Sequence, residues 1–188
     1  VDFVREVNPK GKTVWEWHVW EHVGPGPYQF DINYSLPDTM SRGAGTYDWT
    51  HFNAVAYLPE SDMVLLNSRN FSEFYLIDRK TGEMVYRWGN PSAYGQGEPP
   101  DFLNNGDQKM FGNHNATYLG KNRFLIFDNG SERPEGNRSA VIEVDARSGK
   151  IEWEYTAPSS NSFYTARQGA AQRPPNGNTL ITSSNSGH

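Results

Sequence analysis

Cysteine is absent from all 188 residues, which removes disulfides, thiol catalysis and cysteine-based zinc sites together and leaves the compartment open. Long apolar runs are absent too: none approaches the roughly 18 residues of a spanning helix, so no membrane span is expected. Positive charge is scarce, with 17 Lys and Arg against 22 Asp and Glu and a net charge of −5. No basic run appears either, which argues against a nucleic-acid surface and for a small-molecule partner. The chain has no initiator Met, and Val1-Asp2-Phe3-Val4-Arg5 does not resemble a signal peptide. It stops at Gly187-His188 directly after an apolar run, Thr179–Thr182, that reads as half a hairpin. The expectation is therefore a piece of a longer chain, with any signal segment lost.

What is present is a folded, aromatic-rich β protein: 36% hydrophobic and 14% aromatic residues exclude a disordered segment. Between Asp48 and Gly89 four short apolar runs, Phe52–Leu58, Met63–Ser68, Glu73–Asp78 and Glu83–Trp88, are separated by turn residues, which predicts a four-stranded antiparallel unit. The pattern recurs at Asn115–Leu119, Arg123–Asp128, Ala140–Asp145 and Lys150–Tyr155. Ahead of both lie Phe3–Asn8 and Thr13–Trp20, and a last copy begins at Gly169. The outer half appears three times, as VREVNPKGKTVWEW, FYLIDRKTGEMVYRW and VIEVDARSGKIEWEY, its turns about 70 and then about 67 residues apart. Four strands per repeat at that period predict an all-β fold, a β-propeller of four-stranded antiparallel blades. The expectation is one partial propeller domain over residues 1–188, about two full blades plus two half blades. Its units are 1–20 (an outer half), 51–89, 114–155 and 169–188 (an inner half). Residues 21–47 and 90–112 read as long loops, which in compact domains are commonly functional.

In an antiparallel blade the start of the first strand and the end of the second lie at one edge, and the first strand lines the channel. That places His51, Asn53 and Arg69 together, then His114, Asn129, Arg133 and Arg138, then Arg167, Gln168 and His188. A ring of His and Arg with few carboxylates suits a sulfate- or phosphate-like oxyanion better than a metal. His18 and His22 are four apart, which on a strand is about 13 Å, too far to share a metal. Five Asn-x-Ser/Thr sequons, at Asn33, Asn70, Asn115, Asn129 and Asn137, exceed the two or three expected by chance. They fit a secreted or periplasmic glycoprotein, and equally a turn-rich chain that is simply rich in Asn, Ser and Thr.

The segments DWTHFNAVAY, LLNSRNFSEFYLID, YRWGNP, DQKMFGNHNATYL, FDNGSERPEGNRS and AQRPPNGNTLI resemble the aryl-sulfate sulfotransferase family over nearly the whole chain. The resemblance implies a propeller that moves a sulfuryl group from an aryl sulfate to a phenol without a nucleotide donor and without a metal or organic cofactor. It implies that His51 and Asn53 match the family's His-x-Asn, that Asn113-His114 matches its second histidine, and that Arg133, or else Arg138, matches the arginine after Asp-Asn-Gly. It also implies a nucleophilic histidine one blade later, at His188, forming a sulfohistidine. His51, His114 and Arg133 then hold the sulfuryl oxygens while one histidine gives a proton to the leaving phenolate. Tyr28, Phe30, Tyr47, Trp49, Tyr94 and Phe111 are candidates for the walls of an aryl pocket, or for plain loop anchors.

Two other readings stay open. IDRKTGEMVYRW and VDARSGKIEWEY resemble the turn of quinoprotein propellers, a packing device that speaks to fold rather than cofactor. A secreted propeller that binds sulfated ligands or proteins without turnover is the second, and a glycan at Asn115 or Asn129, which is not expected, would favour it.

Overall fold

The computed structural model describes residues 2–34, 48–159 and 162–184. Strands β1 (Phe3–Val7) and β2 (Thr13–His18) pair as one hairpin. Strands β3 (Phe52–Leu58), β4 (Met63–Ser68), β5 (Glu73–Asp78) and β6 (Met84–Trp88) form a four-stranded antiparallel sheet. A second such sheet holds β7 (His114–Gly120), β8 (Arg123–Asp128), β9 (Ala140–Asp145) and β10 (Lys150–Tyr155). Strands β11 (Ala170–Gln172) and β12 (Leu180–Thr182) close the described part. The architecture is that of a partial propeller, all-β, and among the described residues the only helical turns are 3-10, at Val19–His22 and Pro91–Tyr94.

Local chemistry sets the outer turns. Asp78 Oδ1 accepts from the amides of Lys80 and Thr81, and Gly82, at φ 76°, donates back to the Asp78 carbonyl at 2.8 Å. Asp145 does the same with Arg147, Ser148 and Gly149, and Asn8 with Lys10, Lys12 and Gly11. Only a residue free to take positive φ finishes such a turn without a Cβ penalty. A tryptophan at or near the end of β2 and of β6 then reaches the next sheet. Trp17 Nε1 donates to the Gly82 carbonyl and Trp88 Nε1 to that of Gly149, each at 2.9 Å. A tryptophan six residues after the turn glycine, Trp17 after Gly11 and Trp88 after Gly82, thus fastens its blade to the turn of the next.

The sheets stack face to face in chain order, with β3 beside β7 and β7 beside β11. Leu65, Phe74, Phe124 and Ile142 fill the interface of the two full sheets. Trp17, Phe30, Phe71 and Tyr75 fill the one before it, and Leu125, Phe127, Val141 and Ala171 the one after. The expected strand Thr13–Trp20 stops at His18, where the chain turns into the 3-10 segment and buries Val19. His18 therefore stacks on Phe3 and His22 on Trp17, each as a packing partner.

Of the first long loop, the described part is bolted down. Phe30 is fully buried, and the Arg87 guanidinium donates to the carbonyls of Pro27 and Gln29 at 3.2 and 2.9 Å. Arg87 also makes a bidentate, fully buried pair with Glu73, whose other oxygen contact is the Tyr75 hydroxyl at 3.0 Å, and it lies 4.1 Å from the Tyr94 ring. Burial pushes the Glu73 carboxyl upward and the guanidinium opposes that, so the two charges depend on one another.

Candidate functional site at the inner edge of two blades

Two histidines meet where the inner strands begin. The rings of His51 and His114 are 6.2 Å apart and nearly perpendicular. They do not occupy equivalent places, contrary to what the sequence repeat leads one to expect. Ala54 pairs with Asn67 in the first full sheet and His114 with Phe127 in the second, and since Asn67 and Phe127 are each the fifth residue of their strand, His114 holds the place of Ala54, three residues on from His51. The rings converge because the sheets are stacked, and because bulges at Asn53 and at Asn115-Ala116 re-aim both strand starts. His51 sits at φ 49° and Asn115 at φ 52°, left-handed backbone that costs a non-glycine residue roughly 1 kcal/mol or more.

His114 is the better defined of the two. Its Nδ1 faces two acceptors, the Gly112 carbonyl at 3.1 Å and Asn129 Oδ1 at 2.7 Å. The Asn129 amide cannot be turned round, because its Nδ2 donates to the carbonyls of Thr165 and Gln168, both at 2.7 Å. The imidazole proton therefore sits on Nδ1 and Nε2 carries a lone pair. Burial lowers the His114 pKa, the hydrogen bonds to Asn129 and Gly112 oppose this, and electrostatic repulsion from the neighbouring His51 and Arg69 side chains adds to the lowering. The ring is neutral at neutral pH.

His51 has a different partner. Its Nδ1 is hydrogen-bonded to Asp48 Oδ2, a carboxylate that the sequence pattern does not single out. Arg69, whose backbone amide donates to the His51 carbonyl at 3.2 Å, brings a half-buried guanidinium to the same edge. Burial works against its charge, Glu132 and Asp48 support it, and Arg167 opposes it. Arg167 and Tyr164 arrive on the strap that joins the second full sheet to β11. That strap is tied down by Asn129, by Ser131 Oγ donating to the Ala166 carbonyl and by Ser139 Oγ accepting from the Thr165 amide.

The structure thus brings together His51, Arg69, His114 and Arg167, with Asn129 and the Gln168 backbone behind them. Asn129 is 0% exposed, with both amide protons and its oxygen engaged, so it positions His114 rather than a ligand. Asn53 is likewise consumed: its Nδ2 donates to the Asn113 carbonyl at 3.0 Å and its Oδ1 accepts from Asn67 at 2.6 Å, an amide ladder between the two sheets. Gln168, at φ 60°, is exposed.

Arg133 and Arg138 lie elsewhere. Both line a cavity of about 310 Å³ with Lys109, Ile142 on β9 and Glu154 on β10, on the outer strands. The Arg133 side chain is only 8% exposed, paired with Asp128 and 4.6 Å over the Phe111 ring. Asp128 also accepts from the amides of Phe111 at 2.7 Å and Gly130 at 3.1 Å, so it ties together the two segments that carry His114 and Asn129. Burial raises its pKa to about 6, with Arg133 pulling the other way. The third residue of Asp128-Asn129-Gly130 is fixed by space, since at Gly130 a Cβ would lie 1.6 Å from the Arg138 carbonyl oxygen.

Among the proposed aryl walls, Phe30 and Phe111 are buried anchors and Tyr94 stacks on Arg87. Trp49 packs on Trp20, Phe30 and Phe71. Tyr28 remains exposed, while Tyr47 and His188 lie outside the described residues. No helix among the described residues is long and apolar enough to cross a membrane.

No curated protein matches the chain. A protein-family description, Arylsulfotransferase (ASST), matches residues 1–188. The family match runs the whole length and agrees with the four-stranded sheets, so this chain belongs to the arylsulfotransferase family.

Proposed function

We propose that the edge formed by His51, Arg69, His114 and Arg167 transfers a sulfuryl group from an aryl sulfate donor to a phenolic acceptor, without a nucleotide donor and through a histidine-linked intermediate. The family supports aryl sulfotransferase-type function in general. The observation that carries the reading here is the meeting of two imidazoles and two guanidiniums at one edge of an acidic chain. A sulfuryl group in transfer spreads negative charge over its oxygens, and Arg69 and Arg167 supply fixed positive charge for them. A lone pair held on an imidazole nitrogen, as at His114 Nε2, is what attack at sulfur or acceptance of a proton requires. His188 is the nucleophile that the family resemblance implies. Arg133 serves from behind, through Asp128, by fixing the backbone on either side of His114.

A secreted or periplasmic location fits the sequons unevenly. Asn33 and Asn137 are exposed, whereas Asn70 and Asn129 are buried and Asn115 Oδ1 accepts from the Ala171 amide at 2.9 Å. Glycans, where the host attaches them, belong at Asn33 and Asn137.

The test is release of 4-nitrophenol from 4-nitrophenyl sulfate by the full chain, with and without phenol as acceptor. Acceptor-dependent release, lost in Arg69→Ala and His114→Ala, is expected. Release to water alone makes the protein a sulfatase and rejects transfer. Peptide mapping after a donor-only pulse locates the sulfohistidine.

A further inference from the structure

We infer that Asp48 is a positioning residue that makes His51, and not His114, the group that exchanges a proton with the aryl oxygen. The inference rests on the transfer reading and says which histidine does which work.

The two imidazoles are held by different chemistry. His114 Nδ1 donates to a backbone carbonyl and a side-chain amide oxygen, both uncharged, and the ring is partly buried beside Arg69. The partners of that ring are dipoles rather than a full negative charge. His51 Nδ1 is bonded to a carboxylate, which compensates an imidazolium. Besides Asp48, the groups around this edge are Arg69, His114, Arg167, Tyr164 and the Glu132 carboxylate, and Asp48 is bonded to a histidine nitrogen. Asp48 also fixes the ring. With Nδ1 committed to the carboxylate, Nε2 is the nitrogen left to face a ligand, and the left-handed backbone at His51 is braced by the Arg69 amide on its carbonyl.

The proton account balances. As the sulfur–oxygen bond of the donor breaks, its electron pair stays on the aryl oxygen, the proton of His51 Nε2 moves to that oxygen, and the nucleophilic imidazole nitrogen bonds to sulfur. The donor leaves as a neutral phenol and His51 is left neutral. In the return half the acceptor phenol gives its proton to His51 Nε2 while its oxygen bonds to sulfur, and the nitrogen–sulfur electron pair returns to the nucleophile. The aspartate keeps its charge throughout.

A leaving group that is already a weak base needs little protonation, so the donor pair phenyl sulfate and 4-nitrophenyl sulfate reads the acid directly. In Asp48→Asn the kcat on phenyl sulfate is expected to fall about 100-fold and that on 4-nitrophenyl sulfate less than about threefold, with KM unchanged. His51→Gln is expected to show the same selectivity, and the double variant to lose no more than His51→Gln alone. Equal losses on both donors, or selectivity that appears only in His114→Gln, overturns the assignment. If no aryl sulfate turns over at all, the transfer reading falls. Histidine nitrogen-15 spectra of the wild-type chain then decide the dyad: a neutral His51 carrying its proton on Nε2 overturns it.

Discussion

Replacing Asn129 by alanine removes three hydrogen bonds from a site with no access to water. The amide accepts from His114 Nδ1 at 2.7 Å and donates to the Thr165 and Gln168 carbonyls, both at 2.7 Å, while the residue is 0% exposed. At about 1 kcal/mol for each bond lost, the variant is less stable by roughly 3 kcal/mol, more if the two orphaned carbonyls stay dry. For a chain of this size that lowers Tm by about 6 to 12 °C. The bond to His114 also has a signature of its own. In a double-mutant cycle of Asn129→Ala and His114→Ala, read by urea denaturation, the two losses fall short of additivity by about 1 kcal/mol. Additive losses, or an Asn129→Ala variant within about 0.5 kcal/mol of wild type, would refute the view that this amide fixes the imidazole. The strap carrying Tyr164 and Arg167 should loosen as well, seen as faster amide hydrogen exchange at 163–168.

Three further outcomes follow from the same geometry. Arg87→Met leaves the Glu73 carboxylate buried without its partner and frees the carbonyls of Pro27 and Gln29, at a cost of about 3 to 5 kcal/mol, and limited proteolysis should then cut within 24–34. Gly130→Ala puts a methyl 1.6 Å from the Arg138 carbonyl oxygen at a φ of 64°, so soluble expression should fall sharply, whereas Gly177→Ala, at φ 84° with nothing within 4 Å, should cost only about 1 kcal/mol. Asp128 has a folded pKa of about 6, above its ordinary 3.8, so the folded chain holds that proton where the unfolded chain has released it. Its contribution to stability falls as pH rises from 3.8 to about 6, by on the order of 3 kcal/mol, and is flat above; melting curves of wild type and Asp128→Asn should diverge only across that window.

Strands and turns were legible in the sequence because their causes are local. Asp78-x-x-x-Gly82 makes its turn from its own amides, and the alternating run Phe52–Leu58 makes a strand whatever lies beside it. The threefold recurrence of that turn was enough to require stacked four-stranded units. The resemblance carried by DWTHFN and by FDNGSERPEGNRS was enough to indicate the family, and the end-to-end family match agrees.

What the sequence did not contain was the choice of partners. Asp48 and His51 are three residues apart, but their bond depends on a left-handed turn that no pattern announces. Asn129 looked like a ligand residue and is a brace, because Thr165 and Gln168, more than 30 residues away, close over it. Arg133 looked like a neighbour of His114, yet its guanidinium turns to Asp128 and Phe111. Period and turn chemistry fix which face a residue occupies within its own blade. Which charge it meets is decided only when one sheet is laid on the next, since that contact sets distance, burial and the accepting atom together.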